Sequence, residues 1–335
     1  MAMRNTLTLK PMNLPVTLDE LFSVKEHNFN ELALKIFRYQ ARENTVYRSF
    51  LNHLSVDADA VQTIEEIPFL PIEFFKSHQV ISGSWTAKDA LSFRSSSTTG
   101  KGQSFHYYRN LELYDVSIKK GFEFAFGEPA DWEILTLLPG YHLNPFASLS
   151  YMVKVLGVRP EDAYIDDLPG LADRLLSTTA KKRMLIGVTH ALVDFAQSFD
   201  VHCPDLTILE TGGMKGRRRE LTRSELHEQL QEAFGVKQIG SEYGMTELFS
   251  QAYSTGHGRY QTPPWMQVFI RELEDPFSPE DNGRSGGINV IDLANLDSCA
   301  FIATSDIGRC HSVDTFEVLG RTDHSDVRGC NVLIV

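Results

Sequence analysis

The stretch "RMLIGVTHALVDFAQSFDVHCPDLTILETGG", Arg183–Gly213, begins and ends in apolar runs, with a helical pattern between them. RMLIGVT (Arg183–Thr189) and LTILETGG (Leu206–Gly213) are apolar along their length, as strands covered on both faces are. DWEILTLLP (Asp131–Pro139) reads the same way. SLSYMVKVLG (Ser148–Gly157) and SELHEQLQEAFG (Ser224–Gly235) carry helical spacing. Alternation of buried strand and helix predicts an α/β fold with mostly parallel sheets flanked by helices.

Outward from this centre, the pattern changes at both ends. Leu18–Glu43 spaces its apolar residues at three and four and predicts one or two amphipathic helices. IPFLPIEFF (Ile67–Phe75) is proline-rich and predicts an extended apolar connection. GFEFAFG (Gly121–Gly127) alternates Phe122, Phe124 and Phe126 as a core strand does, or offers apolar lining for a pocket. Beyond Gly286, GINVIDLAN, AFIATSDIG and SVDTFEVLG predict successive strands and a β-rich end. The expected organisation is a helical N-terminal region at 1–66, an α/β core with a β-rich end at 67–320, and a short tail at 321–335.

The 335 residues carry a formal net charge of −12, which argues against general affinity for nucleic acid or anionic membrane. A short basic run, Met214–Leu221, reads as a solvated loop or helix start. No signal-peptide pattern or bilayer-length apolar run is present, so the expected location is cytoplasmic with no integral membrane association. Cys203, Cys299, Cys310 and Cys330 show no CxxC or zinc-finger spacing and read as free thiols.

Four stretches carry chemistry. SFRSSSTTGKGQSF (Ser92–Phe105) sets Ser95, Ser96, Ser97, Thr98 and Thr99 beside Gly100, Lys101 and Gly102. Hydroxyls, freely turning backbone and one cation suit a polyphosphate, and the same composition suits a flexible connector. No Walker A spacing is present. IGSEYGMTELFS (Ile239–Ser250) offers a ring for a base at Tyr243, a turn at Gly244, a hydroxyl at Thr246 and a hard oxygen for Mg²⁺ at Glu247. The alternative is a turn leading into a capped helix. FIATSDIGR puts Asp306 at the end of an apolar strand, where a carboxylate can accept ribose hydroxyls, and LGRTDHSDVRG places Arg321 and Asp323 in a polar turn.

In this order the stretches resemble the adenylate-forming superfamily of acyl-CoA synthetases, luciferases and peptide-synthetase adenylation domains. The family's SSGTTGKPK is matched by SSSTTGKGQ (Ser95–Gln103), its YGxTE by YGMTE, its glycine pair by Gly212 and Gly213, its TGDLG by TSDIG, and its GRxDD…RG by GRTDHSDVRG. The resemblance runs from about Ile67 to the end. Ser97 stands where the family has glycine, and Gln103 where it has lysine.

Within that superfamily the chain is most similar to the LuxE-type acyl-protein synthetases, through IPFLPIEFFKSHQVIS and LLPGYHLNPFASLSYMV. The resemblance implies that ATP and Mg²⁺ activate a carboxylic acid, a fatty acid, as its adenylate. Thr98, Thr99, Lys101 and Thr246 would serve the phosphates, Glu247 the metal, Tyr243 and Gly213 the adenine, and Asp306 and Arg321 the ribose. The resemblance leads to the expectation that the family's mobile C-terminal domain, with its adenylation lysine, is absent or reduced to a short tail. The resemblance makes Cys330 the acyl acceptor, delivering to a reductase, transferase or carrier protein. CNVLIV also reads as a strand that buries its cysteine. Phenylacetate-CoA-ligase-like donation to CoA or a carrier-protein thiol, a catalytically impaired nucleotide-binding subunit, and ATP-independent acyl transfer from an existing thioester stand as the alternatives.

Overall fold

The computed structural model describes residues 14–88, 90–95, 102–139, 144, 146–212, 222–280 and 283–322. Helix α1 (Leu18–Phe22) opens with a reciprocal cap, Thr17 Oγ1 accepting from Glu20 N while the Glu20 carboxylate accepts from Thr17 N. Helix α2 (Glu26–Glu43) buries Phe29, Ala33, Ile36, Phe37 and Gln40, the three-and-four spacing of its sequence. Asn44 ends it and caps α3 (Thr45–His53) by accepting from Tyr47 N. Strand β1 (Leu70–Pro71) is extended, as the prolines require, but the residues after it turn into helix α4 (Phe74–Ser77), so the extended reading of Ile67–Phe75 holds only for its first part.

Strands β2 (Leu91–Arg94) and β3 (Phe105–Tyr108) form an antiparallel hairpin. Helix α5 (Glu112–Phe126) then overturns the strand reading of Phe122, Phe124 and Phe126. Its buried positions are Leu113, Tyr114, Ser117, Ile118, Gly121 and Phe122, a helical period that leaves Phe124 47% exposed.

The centre of the chain alternates as its sequence does. Strand β4 (Trp132–Leu137), α6 (Ser148–Val155), β5 (Ala163–Tyr164), α7 (Leu168–Leu176), β6 (Lys182–Val188), α8 (Thr189–Ser198), β7 (Thr207–Thr211), α9 (Arg223–Phe234) and β8 (Gly240–Tyr243) follow in turn. The five strands lie parallel in the order β5-β4-β6-β7-β8. The last of them starts at Gly240 and takes in Tyr243, so the YGMTE stretch begins inside a strand.

From β8 the sheet continues with reversed direction through β9 (Ala252–Ser254), β10 (Arg259–Gln261), β11 (Met266–Arg271), β12 (Gly286–Asp292), β13 (Phe301–Cys310) and β14 (Thr315–Arg321). Their spatial order beyond β8 is β9-β10-β14-β13-β12-β11, with β1 alongside β13. Strands β9 to β11 have no counterpart in the sequence reading. The N-terminal helices pack on this antiparallel part: Phe37 meets Phe301 edge-on at 5.8 Å, and Gln40 donates to Asn295 O while accepting from Ala300 N. Among the described residues no helix is long and apolar enough to cross a membrane.

Candidate functional site

The Ser/Thr/Gly stretch is carried by the β2–β3 hairpin. Ser95 N donates to Ser104 O, Ser104 N donates to Ser95 Oγ at 2.9 Å, and Gln103 Nε2 donates to Ser95 O at 2.7 Å. Gln103 thus closes the stem of the loop. Gly102 adopts φ +83° with open space where a Cβ would stand. Arg94 stacks on Phe146 at 4.0 Å and also faces Phe105, so its charge is committed to these rings. Ser96, Ser97, Thr98, Thr99, Gly100 and Lys101 lie outside the described residues.

Parallel strands β7 and β8 end side by side, with Thr211 opposite Glu242. Gly212 follows β7 with φ +74°, and its carbonyl accepts from Thr189 Oγ1 at 2.8 Å. Glu242 takes the Thr211 hydroxyl at 2.5 Å. Burial pushes the Glu242 carboxyl up to about 7, with the Glu210 charge adding to the effect. Gly244 sits so close to this carboxyl that a Cβ would meet Glu242 Oε1 at 2.3 Å.

The segment after Gly244 is fastened along its length. Asp292 Oδ2 accepts from Phe249 N and Ser250 N at 2.7 and 2.9 Å, and Oδ1 accepts from Ser250 Oγ and Ala294 N. Four donors would lower the pKa of an exposed carboxyl, but here burial outweighs them and pushes it up to about 6. The Thr246 carbonyl faces His106 Nδ1 at 2.7 Å, and the Glu247 carbonyl accepts from Asn295 Nδ2 at 2.8 Å. The Glu247 side chain is buried and turned to Ser104. Burial raises its pKa, while the Ser104 hydroxyl and the charges of Arg321 and Lys76 oppose that rise.

Asp306 lies within β13 rather than at a strand end, and Arg321 is the last residue of β14 rather than part of a turn; the long pairing of the two strands sets them face to face across the ladder. Arg321 Nε lies 3.0 Å from Asp306 Oδ1, and the Tyr243 hydroxyl donates to Oδ2 at 2.9 Å. Burial raises the Asp306 pKa against the pull of Arg321 and Tyr243. The Tyr243 ring is itself buried, edge-on to Phe316 at 5.2 Å and to Tyr260 at 5.8 Å. Tyr243, Asp306 and Arg321 therefore form one unit, and the Arg321 charge reaches Glu247 as well. Ser95 joins them through Ser104, while Gly212 and Gly244 flank the strand ends beside Glu242. Gly213, Asp323, Cys330 and the basic run at 214–221 lie outside the described residues.

His106, Asp292 and Asn295 are among the residues of this neighbourhood to which the sequence reading gave no functional role. Asp292 had a signal, a carboxylate set within the apolar run "INVIDLA". His106 and Asn295 had none, since their partners lie 140 and 48 residues away.

Neither a family model nor any curated protein matches the sequence. Solved structures do. The chain superposes on 2-hydroxyisobutyryl-CoA ligase, crystallised in an open conformation with 2-HIB-AMP and CoA, with TM-score 0.68 and 10% identity over 94% of this chain and 75% of the ligase. The chain has the fold of adenylate-forming ligases. ATP-bound MatB from Rhodopseudomonas palustris aligns with TM-score 0.51 and 18% identity over 72% of this chain and 50% of MatB. An ATP-bound RpMatB-BxBclM chimera aligns with TM-score 0.52 and 18% identity over 72% of this chain and 49% of the chimera. This chain thus spans about half the length of the MatB-derived proteins.

Proposed function

We propose that this chain is an ATP-dependent ligase that joins a carboxylic acid to AMP and passes the acyl group to a thiol. The observation that carries the reading is the meeting of the hairpin stem at Ser104 with Glu247 and the Asp306–Arg321 pair near the ends of β7 and β8. Ligands of open α/β sheets bind at the carboxyl ends of the strands. Solved ligases of the same fold hold ATP or an acyl-AMP.

A carboxylate repels nucleophiles and has a poor leaving group, so thioester formation needs prior activation. One carboxylate oxygen bonds to the α-phosphorus of ATP as the bond to pyrophosphate breaks. A thiolate then bonds to the acyl carbon, and the bond to AMP breaks with AMP carrying away the electron pair. In this reading Ser95, Ser96, Ser97, Thr98, Thr99, Gly100 and Lys101 cradle and neutralise the phosphates with Thr246. Gly212, Gly213, Tyr243 and Gly244 border the adenine. Asp306 has one donor on each oxygen and keeps acceptor capacity for ribose hydroxyls beside Arg321.

Glu247 suits Mg²⁺. Among the described residues no group of three or more His, Cys, Asp or Glu forms a cage, and Mg²⁺ is commonly held by one or two carboxylates together with substrate phosphates. When bound, the ion neutralises phosphate charge. Glu247 would hold it, with Ser104 fixing the carboxylate.

The finer reading follows the resemblance: the acid is a fatty acid, the acceptor thiol is Cys330, and a reductase or transferase receives the acyl group. Donation to CoA is the second reading, favoured by the CoA in the 2-hydroxyisobutyryl-CoA ligase crystals. Mass spectrometry of the intact protein and of the small molecules, after incubation with ATP, Mg²⁺ and a panel of acids, with and without CoA, separates the two. An ATP-dependent, hydroxylamine-labile adduct that disappears in Cys330→Ser supports self-acylation. An ATP-dependent acyl-CoA product, undiminished by Cys330→Ser, supports the second reading. If no acid drives exchange of pyrophosphate into ATP, the ligase reading fails.

A further inference from the structure

The backbone carbonyls of Thr246 and Glu247, adjacent residues of the YGMTE loop, are met by two side chains from elsewhere in the fold. His106 comes from β3, two residues past the Ser104 that turns to Glu247, and its ring is fully buried. Its Nδ1 lies 2.7 Å from Thr246 O and its Nε2 2.9 Å from Asn295 Oδ1. Asn295 cannot turn its amide over freely. Its Nδ2 donates to Glu247 O, and a flip would set oxygen against oxygen. The Asn295 carbonyl is in turn held by Gln40 from α2.

Resting on the ligase reading above, we propose that His106 and Asn295 are positioning residues. They grip the two consecutive carbonyls that aim the Thr246 hydroxyl and the Glu247 carboxylate at the phosphates and metal. The hairpin and the YGMTE loop thereby move as one piece, through Ser104 to Glu247 on one side and His106 to Thr246 on the other.

Both oxygens facing the ring are acceptors, and a neutral imidazole has a single N–H. Burial pushes the His106 pKa down to about 4, against the contacts to Asn295 and Thr246, which favour the charged ring. A neutral ring serves one of the two contacts at a time, and the Nδ1–H tautomer serves Thr246. Asn295 fastens Glu247 independently.

The test uses the full chain, pyrophosphate–ATP exchange with the best acid of the panel, and urea denaturation of each variant. His106→Asn keeps a donor near the Nδ1 position, whereas His106→Gln keeps one near Nε2. His106→Ala and His106→Gln are expected to lower kcat for exchange by about 10- to 100-fold, as small misplacement of reacting groups does. The KM for the acid should stay the same, and His106→Asn should recover most of the rate. Asn295→Ala should lower kcat with the same KM pattern. Losses that follow only the folded fraction of each variant, or a stable His106→Ala with full kcat, overturn the clamp and leave the ligase reading standing. A stable wild-type chain that exchanges no pyrophosphate removes the ligase reading, and the clamp's role with it.

Discussion

The β2–β3 stem and the segment after β8 come together where Ser104 turns to Glu247, and the fold holds them differently. The hairpin loop is fastened at its stem, by Ser95, Gln103 and Ser104, through backbone and short side-chain contacts. The segment from Gly244 to Ser250 is bolted from outside by three buried residues, His106 from β3 and Asp292 and Asn295 from the end of β12 and the turn after it. The two are therefore held by different designs. One closes locally, and the other depends on long-range packing. Substitutions at the external bolts should cost more than substitutions at the stem.

The largest effect is expected at Asp292. Asp292→Ala leaves the amides of Phe249, Ser250 and Ala294 and the Ser250 hydroxyl without their acceptor, each inside the protein. Unpaired buried donors cost about 1–3 kcal/mol apiece, and shared relaxation brings the sum to about 3–5 kcal/mol. Urea denaturation reads this directly. A loss below about 1 kcal/mol, by the same scale, would make the segment self-supporting.

The Glu242 carboxyl, next to the bolted segment, gives a pH signature. Its pKa rises from 4.5 unfolded to about 7 folded, so the native state holds the proton more tightly. Between these values the folded chain binds more protons than the unfolded one, and stability falls as pH rises from about 4.5 through about 7. At about 1.4 kcal/mol per unit, the full loss is about 3 kcal/mol. Glu242→Gln should flatten this part of the stability profile. Identical slopes for the two proteins over this window would place the titration elsewhere.

A third effect, smaller again, belongs to Gly244→Ala. The new methyl meets Glu242 Oε1, and the Thr211 hydroxyl holds the other carboxylate oxygen in place. Overpacking of this kind costs about 1–2 kcal/mol. Combining it with Glu242→Ala should recover most of that loss in a double-mutant cycle.

The same contrast explains what the sequence disclosed. Local devices were legible. The α/β alternation, the helices at Leu18–Glu43 and the final strands all come from periodicities within single segments. Phe122, Phe124 and Phe126 misled because three alternating aromatics were weighed without Leu113, Tyr114, Ile118 and Gly121, whose spacing makes the segment a helix. Strands β9 and β10 have only three residues each, too few to display a period. At the site, individual residues such as Tyr243, Glu247, Asp306 and Arg321 stood out by type and order. The Tyr243–Asp306 bond and the His106–Asn295 contact did not, because they join residues 63 and 189 positions apart.

The smallest expected effect is at the stem and concerns Gln103, where the resembled family carries lysine. Gln103 donates one part-buried hydrogen bond to Ser95 O. A lysine at this place can still reach a carbonyl, and the flanking bonds between Ser95 and Ser104 remain. Gln103→Lys should therefore change stability by no more than about 1 kcal/mol, the net worth of one such bond. Under the proposed function its effect on nucleotide binding has a definite sign, because a cation added beside a polyphosphate would attract it, by about 1 kcal/mol or a few-fold in affinity where solvent screens the charge. Isothermal titration with ATP at two salt concentrations reads both parts: affinity should rise at low salt, and the gain should shrink at high salt. Unchanged affinity at both would mean that Gln103 is a structural closure whose side chain lies away from the phosphates. A fall in affinity with stability intact would mean that the Gln103–Ser95 bond shapes the loop for its ligand, and would move the stem from a local fastening to a part of the site.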